Sequence, residues 1–311
     1  MQVERTAPAS AGRDATVPAL RLPLDSGRML WIGCAMVALF WLLAWFGPEP
    51  LRYYSFFPLW LGYIFTVDGI TYRRSGTSLL ARSPAGFAGL FLLSGPFWWV
   101  FEAMNERLNN WFYRLPIEYS APIYGFLASI AFSTVIPAVF VTAELLRTFR
   151  PFQRVPPITP LRMRRSALIS LVGGGGAMLL LVILFPGQAF PLAWLSLVFI
   201  VDPFNALQGR RSLIGQVAAG RWDTVLCLFA AGIICGFFWE MWNFWSVPSW
   251  EYRVPYVGFF KIFEMPILGY GGYLPFALEI YALWSLCVAI LPGDQDAMVR
   301  FDADPRESAA R

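Results

Sequence analysis

The sequence predicts an all-α, polytopic integral membrane protein: about eight transmembrane helices in two parallel four-helix repeats. Three observations predict it. The chain of 311 residues is 57% hydrophobic and only 14% charged, whereas a soluble chain carries about 25% charged residues. Its apolar residues fall in blocks of membrane-spanning length, roughly 20 residues for a hydrocarbon core about 30 Å thick. The landmarks of the first four blocks also recur, in the same order, in the last four.

Block length gives spans at 29–47, 54–72, 85–104, 121–146, 166–187, 190–208, 223–244 and 263–292. The last is long and reads as broken, because Pro266, Gly269, Gly271, Gly272 and Pro275 interrupt it. Orientation comes from the basic residues, which mark the cytoplasmic face. Nineteen of the 24 fall on one side of this map, in the N-tail, the even-numbered loops (Arg73, Arg74 and Arg82 among them) and the C-tail. The other side holds only Arg52, Arg107, Arg114, Arg253 and Lys261. Both termini are then expected on the cytoplasmic side of a cell (inner) membrane, which requires an even number of spans. The N-tail (1–28) and C-tail (293–311) are polar and expected to be disordered. The first apolar block lacks a cleavage site and reads as a retained span. Residues 147–165, basic and proline-rich, read as a linker between the repeats, 29–146 and 166–292.

Composition also excludes chemistry. The chain has no histidine, which removes HExxH zinc sites, Ser–His catalysis and His-ligated haem or di-iron centres. The four cysteines (Cys34, Cys227, Cys235, Cys287) lie in predicted spans without a CxxC pair and read as small packing residues. No metal and no cofactor is called for. The net charge of +4 is mostly the orientation signal, so membrane lipids are the expected partners and nucleic acid is not. Gly173–Gly176 reads as a close-packing surface rather than a phosphate loop.

The repeat is the most informative feature. Trp60 and Asp68 recur 134 positions later as Trp194 and Asp202. Glu102 and Asn105 recur as Glu240 and Asn243; Trp111, Tyr113, Arg114 and Pro116 recur as Trp250, Tyr252, Arg253 and Pro255. Each half has four spans, so the copies should share one orientation, related by a pseudo-two-fold axis along the membrane normal.

Ionisable side chains inside spans are costly and are functional candidates by default. With imidazole absent, acid–base chemistry falls to the carboxylates. The two ExxN pairs, Glu102/Asn105 and Glu240/Asn243, each lie on one helix face at i,i+3, near the end of a span. Arg114 and Arg253 are their expected ion-pair partners. One reading makes Glu102 and Glu240 a catalytic acid/base pair, with Asn105, Asn243, Trp111, Tyr113, Arg114, Trp250, Tyr252, Arg253, Glu264 and Tyr270 binding substrate. The other reading is a Glu–Arg–Asn clasp that pins an outer loop to a helix end. Asp68 and Asp202 read as helix-end partners of Arg73, Arg74, Arg210 and Arg211.

Glu240, Trp250, Tyr252, Pro266, Leu268, Gly269 and Pro275 together form a pattern: a glutamate late in a span, an aromatic-x-Tyr loop, then a P-x-L-G…P span. It covers about 40 residues, with an echo at Glu102, Trp111, Tyr113, Pro122 and Gly125. This pattern resembles the small membrane carotenoid (lycopene) cyclase and carotenoid hydratase families. The resemblance implies acidic residues acting on an isoprenoid chain. The chain departs from the cyclases in lacking their paired Pro-Glu-Glu pattern; "LPIEY" at Leu115–Tyr119 is a fragment of it. Three function classes follow: an intramembrane enzyme acting on or binding a lipid or isoprenoid; a proton- or cation-coupled transporter; and a structural or accessory subunit that binds lipid, pigment or a partner protein.

Overall fold

The computed structural model describes residues 26–304, so the expectations for residues 1–25 and 305–311 lie outside the described residues. The chain is mostly helical, as a backbone in hydrocarbon must be, because only internal hydrogen bonds can satisfy its polar groups there. The main helices are α1 (Ser26–Phe46), α2 (Phe56–Ser75), α3 (Leu79–Arg82), α4 (Pro84–Leu108), α5 (Ala121–Phe132), α6 (Val135–Arg147) and α7 (Arg150–Gln153). They continue with α8 (Arg165–Leu184), α9 (Pro186–Ala189), α10 (Ala193–Leu207), α11 (Leu213–Ala218), α12 (Asp223–Asn243), α13 (Tyr273–Cys287) and α14 (Gln295–Met298). Among the described residues seven helical stretches are long and apolar enough to cross a membrane: Gly27–Phe46, Pro84–Leu108, Ala121–Arg147, Arg165–Leu184, Pro186–Leu207, Asp223–Asn243 and Ile267–Ile290. The expected second span corresponds to α2. Its 20 residues reach about 30 Å at 1.5 Å per residue, but it carries Asp68, Arg73 and Arg74 and is not among the seven.

Close packing begins with small residues. A Cβ on Gly33 of α1 would collide with Gly62 O and the Thr66 backbone of α2. A Cβ on Gly175 of α8 would collide with Ser196 O and the Ile200 backbone of α10. The contact partners stand 134 positions apart, so the same backbone approach is built twice. Within the Gly173–Gly176 run only Gly175 makes it; the other three glycines face open space.

The fourth span of the first half is broken in two. Helices α5 and α6 meet at Ser133–Thr134. Ser94 of α4 heals the break: its hydroxyl donates to Phe132 O at 2.5 Å and accepts from Ile136 N at 3.0 Å. In the second half the break falls at the outer end, where a short 3-10 turn, Ile267–Gly272, leads into α13.

The arginine-rich end is pinned by ion pairs and caps. Asp68 and Asp202 do not bond to the neighbouring arginines, as had been expected. Asp68 accepts from Ser78 Oγ (2.7 Å) and Leu80 N (3.2 Å). Asp202 accepts from Leu213 N and Ile214 N, both at 2.7 Å. Both carboxylates thus satisfy the free amides that open α3 and α11. Arg73 and Arg74 instead lie over the rings of Trp31 and Phe149. Arg82 pairs with Glu144 at 2.6 Å, and Asp223 at the start of α12 takes Arg147 and Arg221.

The stretch from residue 293, expected to be disordered, is ordered through Asp304. Met298, Val299 and Phe301 are buried, with the Phe301 ring 5.2 Å from that of Phe140. Gln295 donates to Gly86 O and accepts from Trp284 Nε1, both at 3.0 Å. Apolar side chains with their own helix cap (Asp294 accepts from Ala297 N) gave this segment a reason to fold that its charge content concealed.

Aromatic rings fill the centre between the halves. Trp60 packs on Trp239 (5.1 Å) and Trp242 (5.0 Å) of α12; its counterpart Trp194 stacks on Phe101 of α4 at 5.3 Å. Trp60 and Trp194, 134 positions apart in sequence, thus each pack on a long helix from the other part of the chain.

Candidate functional site

Beyond the ends of α4 and α12 the chain forms two short strands, β1 (Trp111–Arg114) and β2 (Ser249–Tyr252), paired antiparallel. Trp111 faces Tyr252, Phe112 faces Glu251 and Tyr113 faces Trp250. Side chains alternate across a strand, so Trp111, Tyr113, Trp250 and Tyr252 share the inner face. Phe112, Arg114 and Glu251 share the outer one.

The two asparagines hold these strands to the helices. Asn105 Nδ2 donates to Trp111 O (2.8 Å), and its Oδ1 accepts from Asn110 N and Trp111 N (2.9 and 3.3 Å). Asn243 Nδ2 donates to Trp250 O and its Oδ1 accepts from Trp250 N, both at 2.7 Å. Each amide bonds the backbone through both its nitrogen and its oxygen.

The glutamates lie beneath the strands in cages of neutral donors. Glu102 Oε1 accepts from Tyr113 OH (2.6 Å), Trp98 Nε1 (2.8 Å) and Trp111 Nε1 (3.1 Å). Glu240 Oε1 accepts from Tyr273 OH (2.6 Å) and Tyr252 OH (2.7 Å); Trp250 Nε1 donates to Tyr252 OH at 2.8 Å. Glu240 is fully buried and its Oε2 has no partner, whereas Glu102 is only half-buried. Burial first, and then the adjacent carboxyl, push the Tyr113 and Tyr252 hydroxyls well above the ordinary phenol range, so both remain donors.

Among the described residues no arginine bonds either glutamate, which corrects the expected pairing. Arg114 turns to the outer face and bonds Glu251 at 2.6 Å; Arg253 lies over the Phe112 ring at 5.1 Å. The strand register explains this. The inner face is occupied by four aromatic residues, and Arg114 lies one step out of phase with them. Glu264 pairs with Lys261 (3.3 Å), outside both cages. Tyr270 donates to Ile262 O at 3.2 Å and its ring lies 5.9 Å from that of Tyr273.

Trp98 precedes Glu102 by four positions, on the same helix face; one cage residue, Tyr273, escaped sequence reasoning. Tyr273 lies in the broken span beside Tyr270, one helical turn further on, and only the fold brings it to Glu240. A second buried acid is Glu279 of α13, which among the described residues has no side-chain hydrogen-bond partner. Among the described residues no three His, Cys, Asp or Glu come together as a metal-ligand group.

Compared with protein-family models, with curated proteins and with solved structures, the chain matches none.

Proposed function

We propose that the protein binds a long-chain lipid or isoprenoid at the hairpin end of its bundle, and that Glu240 exchanges a proton with it. One observation carries this reading: Glu240 is a fully buried carboxyl with one oxygen held by two tyrosines and, among the described residues, no partner on the other oxygen and no ion pair. An intramembrane acid without a counter-ion marks function by default. The aromatic box beside it fits a substrate that acquires positive charge. The Trp239 ring lies 5.9 Å from Tyr273 and 6.2 Å from Phe276, and Phe276 lies 5.4 Å from Phe101. A carboxyl delivering its proton to a carbon–carbon double bond leaves a cationic carbon, which the faces of such rings stabilise. Glu102, half-buried in the matching cage, is the counterpart through which the pair re-equilibrates with water. The likeness to the carotenoid cyclases and hydratases supports the same chemistry.

The finer architecture belongs to this proposal. Eight spans arise if α2 crosses with the other seven. The halves are two parallel repeats about an axis through the Phe112–Glu251 pair. That pair consists of equivalent residues standing opposite each other, the register a local two-fold requires. Arg114 reaching Glu251 and Arg253 reaching Phe112 are then one crossover contact drawn twice, once as an ion pair and once as a cation–π contact. The arginine-rich end is cytoplasmic and the strands face the outside of an inner membrane. A purely accessory role draws on the backbone-bonded asparagines, which brace the strands whatever else the site does.

The test is Glu240→Gln, expressed beside wild type in the native membrane, with extracted lipids and isoprenoids read by mass spectrometry. Normal folded yield with loss of the bound or converted species is the expected result. An unchanged lipid profile, or loss of folded protein in both Glu240→Gln and Tyr273→Phe, would make the cage a brace and overturn the reading.

A further inference from the structure

Between β2 and the last span the second half carries an insertion that the first half lacks. Pro122 follows Trp111 by 11 residues, whereas its counterpart Pro266 follows Trp250 by 16. The extra chain forms a tight hairpin, β3 (Lys261–Ile262) against β4 (Met265–Pro266). Its approach is strongly apolar and exposed: Tyr256 is 74% and Phe260 80% accessible. Three of its aromatic residues, Tyr256, Phe260 and Phe263, have φ of 62°, 49° and 57°. Bulky side chains rarely adopt that left-handed backbone, and when they do the surrounding structure must impose it, most often at ligand clamps and switches.

Phe263 is the residue that this backbone positions. Its ring packs on Phe237 at 5.6 Å and on Phe244 at 5.7 Å. Both belong to the segment of α12 around Glu240, three positions before it and four after, which places them on the same helix face as the carboxyl. Phe237 and Phe244 are themselves about two-fifths exposed, so this is an outer, bilayer-side face of the bundle. The hairpin is also wired to the cage: Tyr270 donates to Ile262 O, its ring meets Tyr273, and Tyr273 holds Glu240. Glu102, without such an insertion, is the half-buried member of the pair.

We infer that the hairpin at residues 256–266 is a lid over Glu240, seated in the membrane interface, and that Phe263 plugs a lateral entrance through which an apolar chain passes from the bilayer to the cage. The entrance lies between Phe237 and Phe244, and its occupant is a hydrocarbon-chain amphiphile. Exposed aromatic side chains immediately before a span belong at the headgroup level, where such a ligand waits. This inference rests on the lipid-site reading of Glu240, but it is tested by access rather than by turnover.

The experiment places the full-length protein in phosphatidylcholine vesicles containing a phospholipid with a diazirine on one acyl chain. Photolabelled peptides are then mapped. Phe263→Ala should raise labelling of the Phe237–Phe244 segment and of Tyr273 several-fold over wild type. As a control for folding, Phe237→Cys/Phe263→Cys is compared with itself before and after bridging by a bismaleimide, in a Cys34→Ser/Cys287→Ser background. Bridging should abolish that labelling while leaving labelling of the lipid-facing helix α8 unchanged. Equal labelling of the segment in the bridged and unbridged forms would overturn the lid. Labelling that responds to the bridge while Glu240→Gln leaves the lipid profile unchanged would keep the lid and sink the Glu240 reading.

Discussion

Asn243→Ala removes both hydrogen bonds that tie β2 to the end of α12. Each is short, at 2.7 Å, and each involves the backbone of Trp250. A hydrogen bond contributes about 0.5–1.5 kcal/mol net, and a buried group left unsatisfied costs about 1–3 kcal/mol. Asn243 is almost fully buried while Trp250 is half-buried, so water can reach part of the broken contact. The expected loss is therefore about 2–3 kcal/mol, below the sum of two full penalties. Asn243→Asp should cost at least as much, because a carboxylate oxygen would replace the donor facing Trp250 O. The assay is equilibrium unfolding in detergent, with Asn105→Ala as the internal replicate from the other half. A loss under about 1 kcal/mol in Asn243→Ala would mean that the strand is held by something other than this clasp.

Further substitutions probe the ends of the bundle. Arg114→Ala breaks a pair in which the arginine side chain is 70% exposed, so it should change stability by less than about 1 kcal/mol; Tyr113→Phe, which removes a donor to Glu102, should cost more in the same melt. Arg82→Ala leaves Glu144 buried without its partner (side-chain exposures of 6% and 10%); it should cost about 3–5 kcal/mol, and recovery of most of that loss by Glu144→Gln in the same chain would confirm the cause.

What the sequence made legible was whatever depends on composition and period. Apolar block lengths located the long helices, and the i,i+3 spacing of Glu and Asn placed each pair on one face. In the structure each glutamate lies beneath a strand and accepts from a tyrosine of that strand, Tyr113 for Glu102 and Tyr252 for Glu240. Charge complementarity misled where partners depend on register: Arg114 and Arg253 make their contacts on the outer face of a two-stranded sheet whose existence four-residue strands do not announce. Asp68 and Asp202 misled for a related reason. Nearby arginines looked like partners, but the free amides of two short helices, ten or more residues on, are better placed and carry no long side chain to order. Tyr273 was unreadable because its approach to Glu240 depends on the break before α13. The lid was unreadable because an insertion looks like any other loop until its aromatic residues are seen to lie over a neighbouring helix.

The ordered segment after Pro292 bears on how the molecule is made. Gln295 bonds Gly86 at the start of α4, Met298 O accepts from Arg82, and Phe301 closes against Phe140 of α6. Residues 295–301 therefore complete a surface that belongs to helices of the first half of the chain. A chain arrested or cut before Met298 has inserted every long helix yet leaves α3, α4 and α6 without their common cover. Such a product would be recognised by quality-control proteases as unfinished even though its hydrophobic segments are all in place.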